Sequence, residues 1–153
     1  MIAIVRVRGS IDVRQEVKDT FKMLNLSTCN QATIVPENGS MKGMIAKVQD
    51  YSTFGQVSEK ALAALLEKRA RIEGNKKITL EFLKAKKVSG FEELAKKINA
   101  GQLSMKELGI RPVFRLSPPR KGFERGGIKK AFRLGGALGN RGEKINALLE
   151  RMI

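Results

Sequence analysis

The chain has 153 residues, enough for one compact domain or a small core with an elaboration, and carries 30 lysines and arginines against 15 acids, a net charge of +15. That imbalance points to a polyanionic partner, nucleic acid first and an anionic membrane surface second. With one cysteine (Cys29) and no histidine, an internal disulfide and the common zinc-ligand and nucleophile-base arrangements are excluded; no apolar run approaches the roughly 20 residues of a spanning helix, so a soluble, cytoplasmic protein without metal or cofactor is expected.

The first segment, 1–57, reads as scaffold. Ile2, Ile4, Val5 and Val7, bounded by Gly9, predict a strand near the middle of a sheet. Asp12 is placed to cap a helix, with Gln15 completing a capping box and Val13, Val17, Phe21 and Leu24 forming one apolar stripe. Ala32 to Pro36 predicts a second strand, closed by the turn residues Glu37, Asn38 and Gly39. Ser40 opens a second helix with Met41, Met44, Ile45 and Val48 on one face, and Tyr51 to Val57 returns as a strand with Gly55 as a bulge. This order predicts an α+β sandwich with helices on one face of a small sheet.

Residues 58–110 read as a helical insertion. Ser58 caps a helix with Ala61, Leu62, Leu65 and Leu66 on one face, ended by Gly74 and Asn75. Thr79 to Ala85 and Phe91 to Asn99 predict two more helices, the second closed by Gly101. The last segment, 111–153, opens with the alternating RPVFRL, a strand for the sheet edge.

Charge rises along the chain, and residues 111–153 hold 11 cations against 3 acids. Within them, 117–142 contain seven glycines together with Arg120, Lys121, Arg125, Lys129, Lys130, Arg133 and Arg141, opposed only by Glu124. A flexible solvated loop is the ordinary reading of such a stretch. Phe123, Ile128, Phe132 and Leu134 argue against it, because a solvated linker has little use for them. Glycine permits close approach to phosphate, arginine matches phosphate oxygens, and Phe123 or Phe132 is able to stack on an unpaired base or anchor the loop. The segment is expected to order against folded RNA. Asn140 to Glu143 then has capping-box spacing before a terminal helix with Ile145, Leu148, Leu149 and Met152 on one face.

Four pieces in order, IVRVRG (4–9), MKGMIAKVQDYSTFG (41–55), RIEGNKKIT (71–79) and FRLSPPRKGF with GGALGNRGEKIN, resemble the ribosomal protein L-thirty family of the large subunit, in its long archaeal form similar to the eukaryotic protein seven. The resemblance covers essentially the whole chain. It implies a ferredoxin-like core and a non-enzymatic component of the large subunit. Its partners would be large-subunit (23S) rRNA, the 5S rRNA region and neighbouring ribosomal proteins. By position it implies that Arg6, Arg8, Lys42 and Lys47 face rRNA together with the cations of the C-terminal block. Many relatives have PRGG where this chain has Pro119-Arg120-Lys121-Gly122, which questions any contact needing glycine at 121.

Two other classes compete. A free RNA-binding factor would show the same basic surface. A nucleotide-binding enzyme would use GGALGNRG as a phosphate cradle, but neither G-x-x-x-x-G-K-[ST] nor G-x-G-x-x-G spacing occurs. A membrane-surface helix would carry its cations on an amphipathic face, whereas these lie in glycine-rich sequence.

Overall fold

The apolar run at the start of the chain forms β1 (Ile2–Arg6), the central strand of a five-stranded sheet, and all five of its residues are buried. This computed structural model describes residues 1–79, 82–83, 88, 90–105 and 107–153. In chain order, β1 is followed by α1 (Gln15–Met23), β2 (Gln31–Val35), α2 (Gly39–Val48), β3 (Ser52–Gln56), α3 (Glu59–Arg69), α4 (Phe91–Asn99), β4 (Val113–Arg115), β5 (Gly139–Asn140) and α5 (Ile145–Met152). The strand order is β4-β2-β1-β3-β5, antiparallel except for the parallel β3–β5 pair.

Alternation along β1 explains its complete burial. Ile2 and Ile4 enter a cluster with Phe21, Leu24, Ile45 and Val48, the apolar stripes of α1 and α2. Ala3 and Val5 enter the larger cluster on the opposite face, with Leu62, Leu65 and Leu66 of α3, Leu94 and Ile98 of α4, and Leu148 and Leu149 of α5. Burying one such leucine contributes about 2 kcal/mol. The α+β class and the ferredoxin-like sheet are therefore as expected, and α1 and α2 share one face. The insertion and the terminal helix close the second face, so the sheet is covered on both sides. Helices of the insertion and of the C-terminal segment thus share one core.

The local starts differ in detail. Helix α1 begins at Gln15, not at Asp12, which sits at φ 54 outside the helix, and Gln15 Nε2 donates to Asp19 Oδ1 at 2.9 Å instead of completing a capping box. At its other end Asn25 takes a left-handed φ of 57, and the amide of Leu26 returns to the Phe21 carbonyl at 2.8 Å, a stop that asparagine tolerates. Helix α2 starts one residue before Ser40, at Gly39. Ser58 caps α3 as expected, its Oγ accepting from the Ala61 amide at 3.3 Å. Helix α4 matches its expected span, while the helix expected over Thr79 to Ala85 lies largely outside the described residues. Of the strand expected over 111–116, Val113–Arg115 forms β4 and pairs with β2 at the sheet edge.

Gly55 is not a bulge. It holds regular register opposite Ala3, and a Cβ there would overlap the Gly142 carbonyl and lie 3.0 Å from the Ile145 Cβ. The missing side chain lets the C-terminal segment close onto β3.

Candidate nucleic-acid interface

Glycine-rich sequence becomes ordered between 117 and 142 because both of its ends are tied to the core. The Ser117 and Arg120 amides donate to the carbonyls of Met152 and Arg151, each at 3.0 Å, fastening the start to α5. At the far end the Arg141 amide donates to the Phe54 carbonyl at 2.8 Å, beside the β3–β5 pairing. Between these anchors the segment folds on itself: Gly126 donates to Gly135, Ala137 to Gly127 and Leu138 to Lys130. Ala137 and Leu138 pack with Val7 and Phe123. The segment expected to order only against RNA thus has internal supports of its own.

Its keystone is Arg141, 5% exposed. Nη1 and Nη2 donate to the two Glu124 carboxylate oxygens at 2.5 and 2.6 Å, Nη2 also to the Ala137 carbonyl at 3.0 Å, and Nε to Thr53 Oγ1 at 2.8 Å. The guanidinium lies 4.6 Å from the Phe132 ring centre. Arg141 is therefore not a surface contact. It spends its donors holding the loop to β3, as a fork-shaped guanidinium does best.

Glu124 is the loop's sole acid and feels this directly. Its carboxyl is held below the ordinary value of 4.5, chiefly by the hydrogen bonds from Arg141, with burial opposing. A carboxyl lowered in the folded state contributes stability that is full above its unfolded value and lost as pH falls through the folded one. Thermal melts from pH 7 down to 3 should show the native chain losing its advantage over Glu124→Gln below about pH 4.5, the gap being widest at neutral pH.

Arg6 is also removed from the surface. It is 2% exposed, donates to the carbonyls of Leu26 at 2.7 Å, Ser27 at 2.8 Å and Arg8 at 3.0 Å, and lies 4.3 Å from the Phe21 ring centre. Burial pushes its pKa below the ordinary guanidinium value, with Cys29 opposing. Its role is to tie the end of β1 to the loop before β2.

The remaining C-terminal cations Arg120, Lys121, Arg125, Lys129, Lys130 and Arg133 are all exposed. Lys121 has a left-handed φ of 65 and Gly122 a φ of 74, so the backbone at 121 takes a glycine-like shape while adding a cation. Arg8, from the core, joins part of this set. Its guanidinium lies 4.8 Å from the Tyr51 ring centre and donates to the Asp50 carbonyl at 3.1 Å. A groove of about 640 Å³ brings Arg8 and Tyr51 together with Lys129, Phe132 and Arg133. Tyr51, which lies three positions beyond the end of α2, is not singled out by the residue pattern. Lys42 and Lys47 are exposed on α2 outside this groove, and Lys42 pairs with Glu37 at 3.0 Å. Phe123 packs inward against both the larger cluster and Val7, so it is an anchor. Phe132 is half-buried, with Arg141 and Lys144 near its ring.

The glycines of GGALGNRG do not form an open cradle. Gly136 packs against the Lys130 backbone, where a Cβ would overlap the carbonyl, and Ala137 and Leu138 are buried. They let two chain segments touch.

A ferredoxin-like sheet carrying a clamped loop of exposed, largely uncompensated cations defines a basic α+β protein shaped to face a polyanion. Residues 2–51 match the family model described as Ribosomal protein L30p/L7e. The chain is 53% identical over 153 residues to large ribosomal subunit protein uL30 of Nanoarchaeum equitans, covering 100% of this chain and 99% of that one. It is 50% identical over 151 residues to the uL30 protein of Methanococcus maripaludis, covering 99% and 98%, and 44% identical over 154 residues to that of Methanosphaera stadtmanae, covering both fully. The chain belongs to the uL30 family.

Proposed function

We propose that this protein is a structural, non-catalytic constituent of the large ribosomal subunit that binds and stabilises large-subunit rRNA and so supports subunit assembly and translation in the cytoplasm. The observation that carries this reading is the set of six exposed cations, from Arg120 to Arg133, on a loop locked to the core by Arg141 and Glu124, in a chain about half identical to uL30 proteins. Cations on a fixed framework pay less ordering cost on binding than cations on a free tail. The groove adds Arg8 and the rings of Tyr51 and Phe132, a setting for phosphate and an unpaired base. The 23S rRNA, a position near the 5S rRNA and contacts with neighbouring ribosomal proteins are the finer parts of the proposal, supported by family membership.

Two measurements test it. On gradients of native extract the chain should comigrate with the large subunit after the subunits separate, and leave only when high salt strips the rRNA. A chain remaining with free proteins would favour a free RNA-binding factor. With about six phosphate contacts, the logarithm of affinity for large-subunit rRNA should fall against log salt with a slope near −4 to −5. Replacing Arg120, Lys121, Arg125 and Arg133 with alanine should leave the melting temperature nearly unchanged and flatten that slope by about 3. An unchanged slope and normal incorporation into subunits would remove the loop as a major contact.

A further inference from the structure

A second concave surface, outside the C-terminal block, lies at the opposite edge of the sheet. It has a volume of about 570 Å³ and is walled by β4, the end of α1, and the turns after α3. Lys22, Arg69, Arg71, Arg111 and Arg115 face it, with no carboxylate among its described lining residues. Arg69 is occupied, donating to Ser117 Oγ at 2.7 Å and to the Ile153 carbonyl at 2.8 Å. Among the described residues, the side chains of Lys22, Arg111 and Arg115 are in no ion pair, and that of Arg71 reaches the Ala70 carbonyl at 3.4 Å.

An edge strand often carries charge to block pairing with another chain. That accounts for Arg115 but not for Lys22 and Arg71, which come from other segments to the same hollow. Bringing like charges together with no acid among the described lining residues costs repulsion, which an anionic ligand relieves. Two further features fit an extended polar ligand. Asn25 and Asn75 both line the hollow, and both hold left-handed backbones, at φ 57 and 61. Asparagine tolerates such turns and brings an amide that donates and accepts hydrogen bonds. No aromatic residue is among the hollow's described lining residues, which offer charge and hydrogen bonds without a stacking platform.

We propose that this hollow grips the phosphodiester backbone of a second RNA segment, so that the protein clamps RNA at both edges of its sheet. The proposal rests on the rRNA-binding reading above and adds a separate site to it. The strand order puts β4 and β5 four spacings apart, about 19 Å, too far for one side-chain cluster to serve both. Contacts to phosphate alone position the RNA and carry little sequence information. The C-terminal groove with its rings is then the site for bases, and the β4 hollow is the site that fixes orientation.

Hydroxyl-radical footprinting on large-subunit rRNA tests this with three proteins: the native chain, a hollow variant (Lys22→Ala, Arg71→Ala, Arg111→Ala, Arg115→Ala) and the C-terminal alanine variant described above. The native chain should protect two separate backbone tracts. The hollow variant should lose one tract and keep the other, and the C-terminal variant should do the converse. Changing Arg71, Arg111 and Arg115 to lysine should retain the tract, because point charges suffice for phosphate, and this separates lost charge from lost fold. A hollow variant with the full native footprint overturns the proposal while leaving the rRNA-binding reading intact. So does a variant that keeps every RNA protection but loses a crosslink to an acidic ribosomal protein. A native chain that protects no rRNA overturns both.

Discussion

Replacing Arg141 with alanine is expected to destabilise the protein by about 3 kcal/mol, lowering the melting temperature by about 6 to 12 °C. The change removes four hydrogen bonds and leaves the partly buried Glu124 carboxylate without its fork. Arg151 at 3.4 Å is a poor substitute. Arg141→Lys should recover only part of the loss, since one ammonium is unable to span both carboxylate oxygens and Thr53. The double variant Arg141→Met with Glu124→Leu should be less damaged than Arg141→Ala, because it leaves no unpaired charge. Chemical denaturation of the native chain and the three variants checks this, and equal losses in all three variants would show that the pair is not what secures the loop. RNA affinity should drop in Arg141→Ala although every exposed cation is still present, because the loop no longer holds them in one arrangement.

Gly55→Ala is expected to be nearly as severe, at about 3 kcal/mol, although it adds only a methyl group. The new Cβ would occupy the position of the Gly142 carbonyl and crowd Ile145, so β5 and the start of α5 must move off β3. The same methyl at Gly43, on the open side of α2, meets nothing within 4 Å and should be harmless or slightly stabilising, since alanine is the better helix former. Thermal melts of the two variants make the comparison. If Gly55→Ala melted with the native chain, the close approach of the C-terminal segment to β3 would not matter to stability.

Both variants act on the junction that residue patterns reveal least. Strand β5 has two residues, one of them glycine, and shows no alternation to recognise. The partnership of Glu124 with Arg141 joins positions 17 apart in a segment without helical or strand period. Arg6 shows the same difficulty from another side. It continues a strand whose apolar residues read clearly, but its own direction depends on Phe21 and on the loop carbonyls of Leu26 and Ser27. A charged side chain next to an apolar run reads as surface until those neighbours are placed around it.

Periodic elements, by contrast, were legible residue by residue. Leu94, Ala95 and Ile98 predict α4 and its buried face, and Ile145, Leu148, Leu149 and Met152 do so for α5, because helical spacing alone brings those side chains to one side. The basic character of the protein and the place of its densest charge were equally open to reading, since charge is a sum over residue types and needs no contacts. Which cations remain available to a partner is a different matter. Arg125 and Arg141 have the same chemistry and lie in the same glycine-rich stretch, yet one is exposed and the other is sealed against β3. Likewise Lys22, Arg71 and Arg115 lie far apart along the chain and share a hollow only because the sheet edge gathers them. Local pattern is set by neighbours three or four residues away and is therefore written in the chain. The burial of a charge, or its company, is set by segments that meet only when the sheet closes.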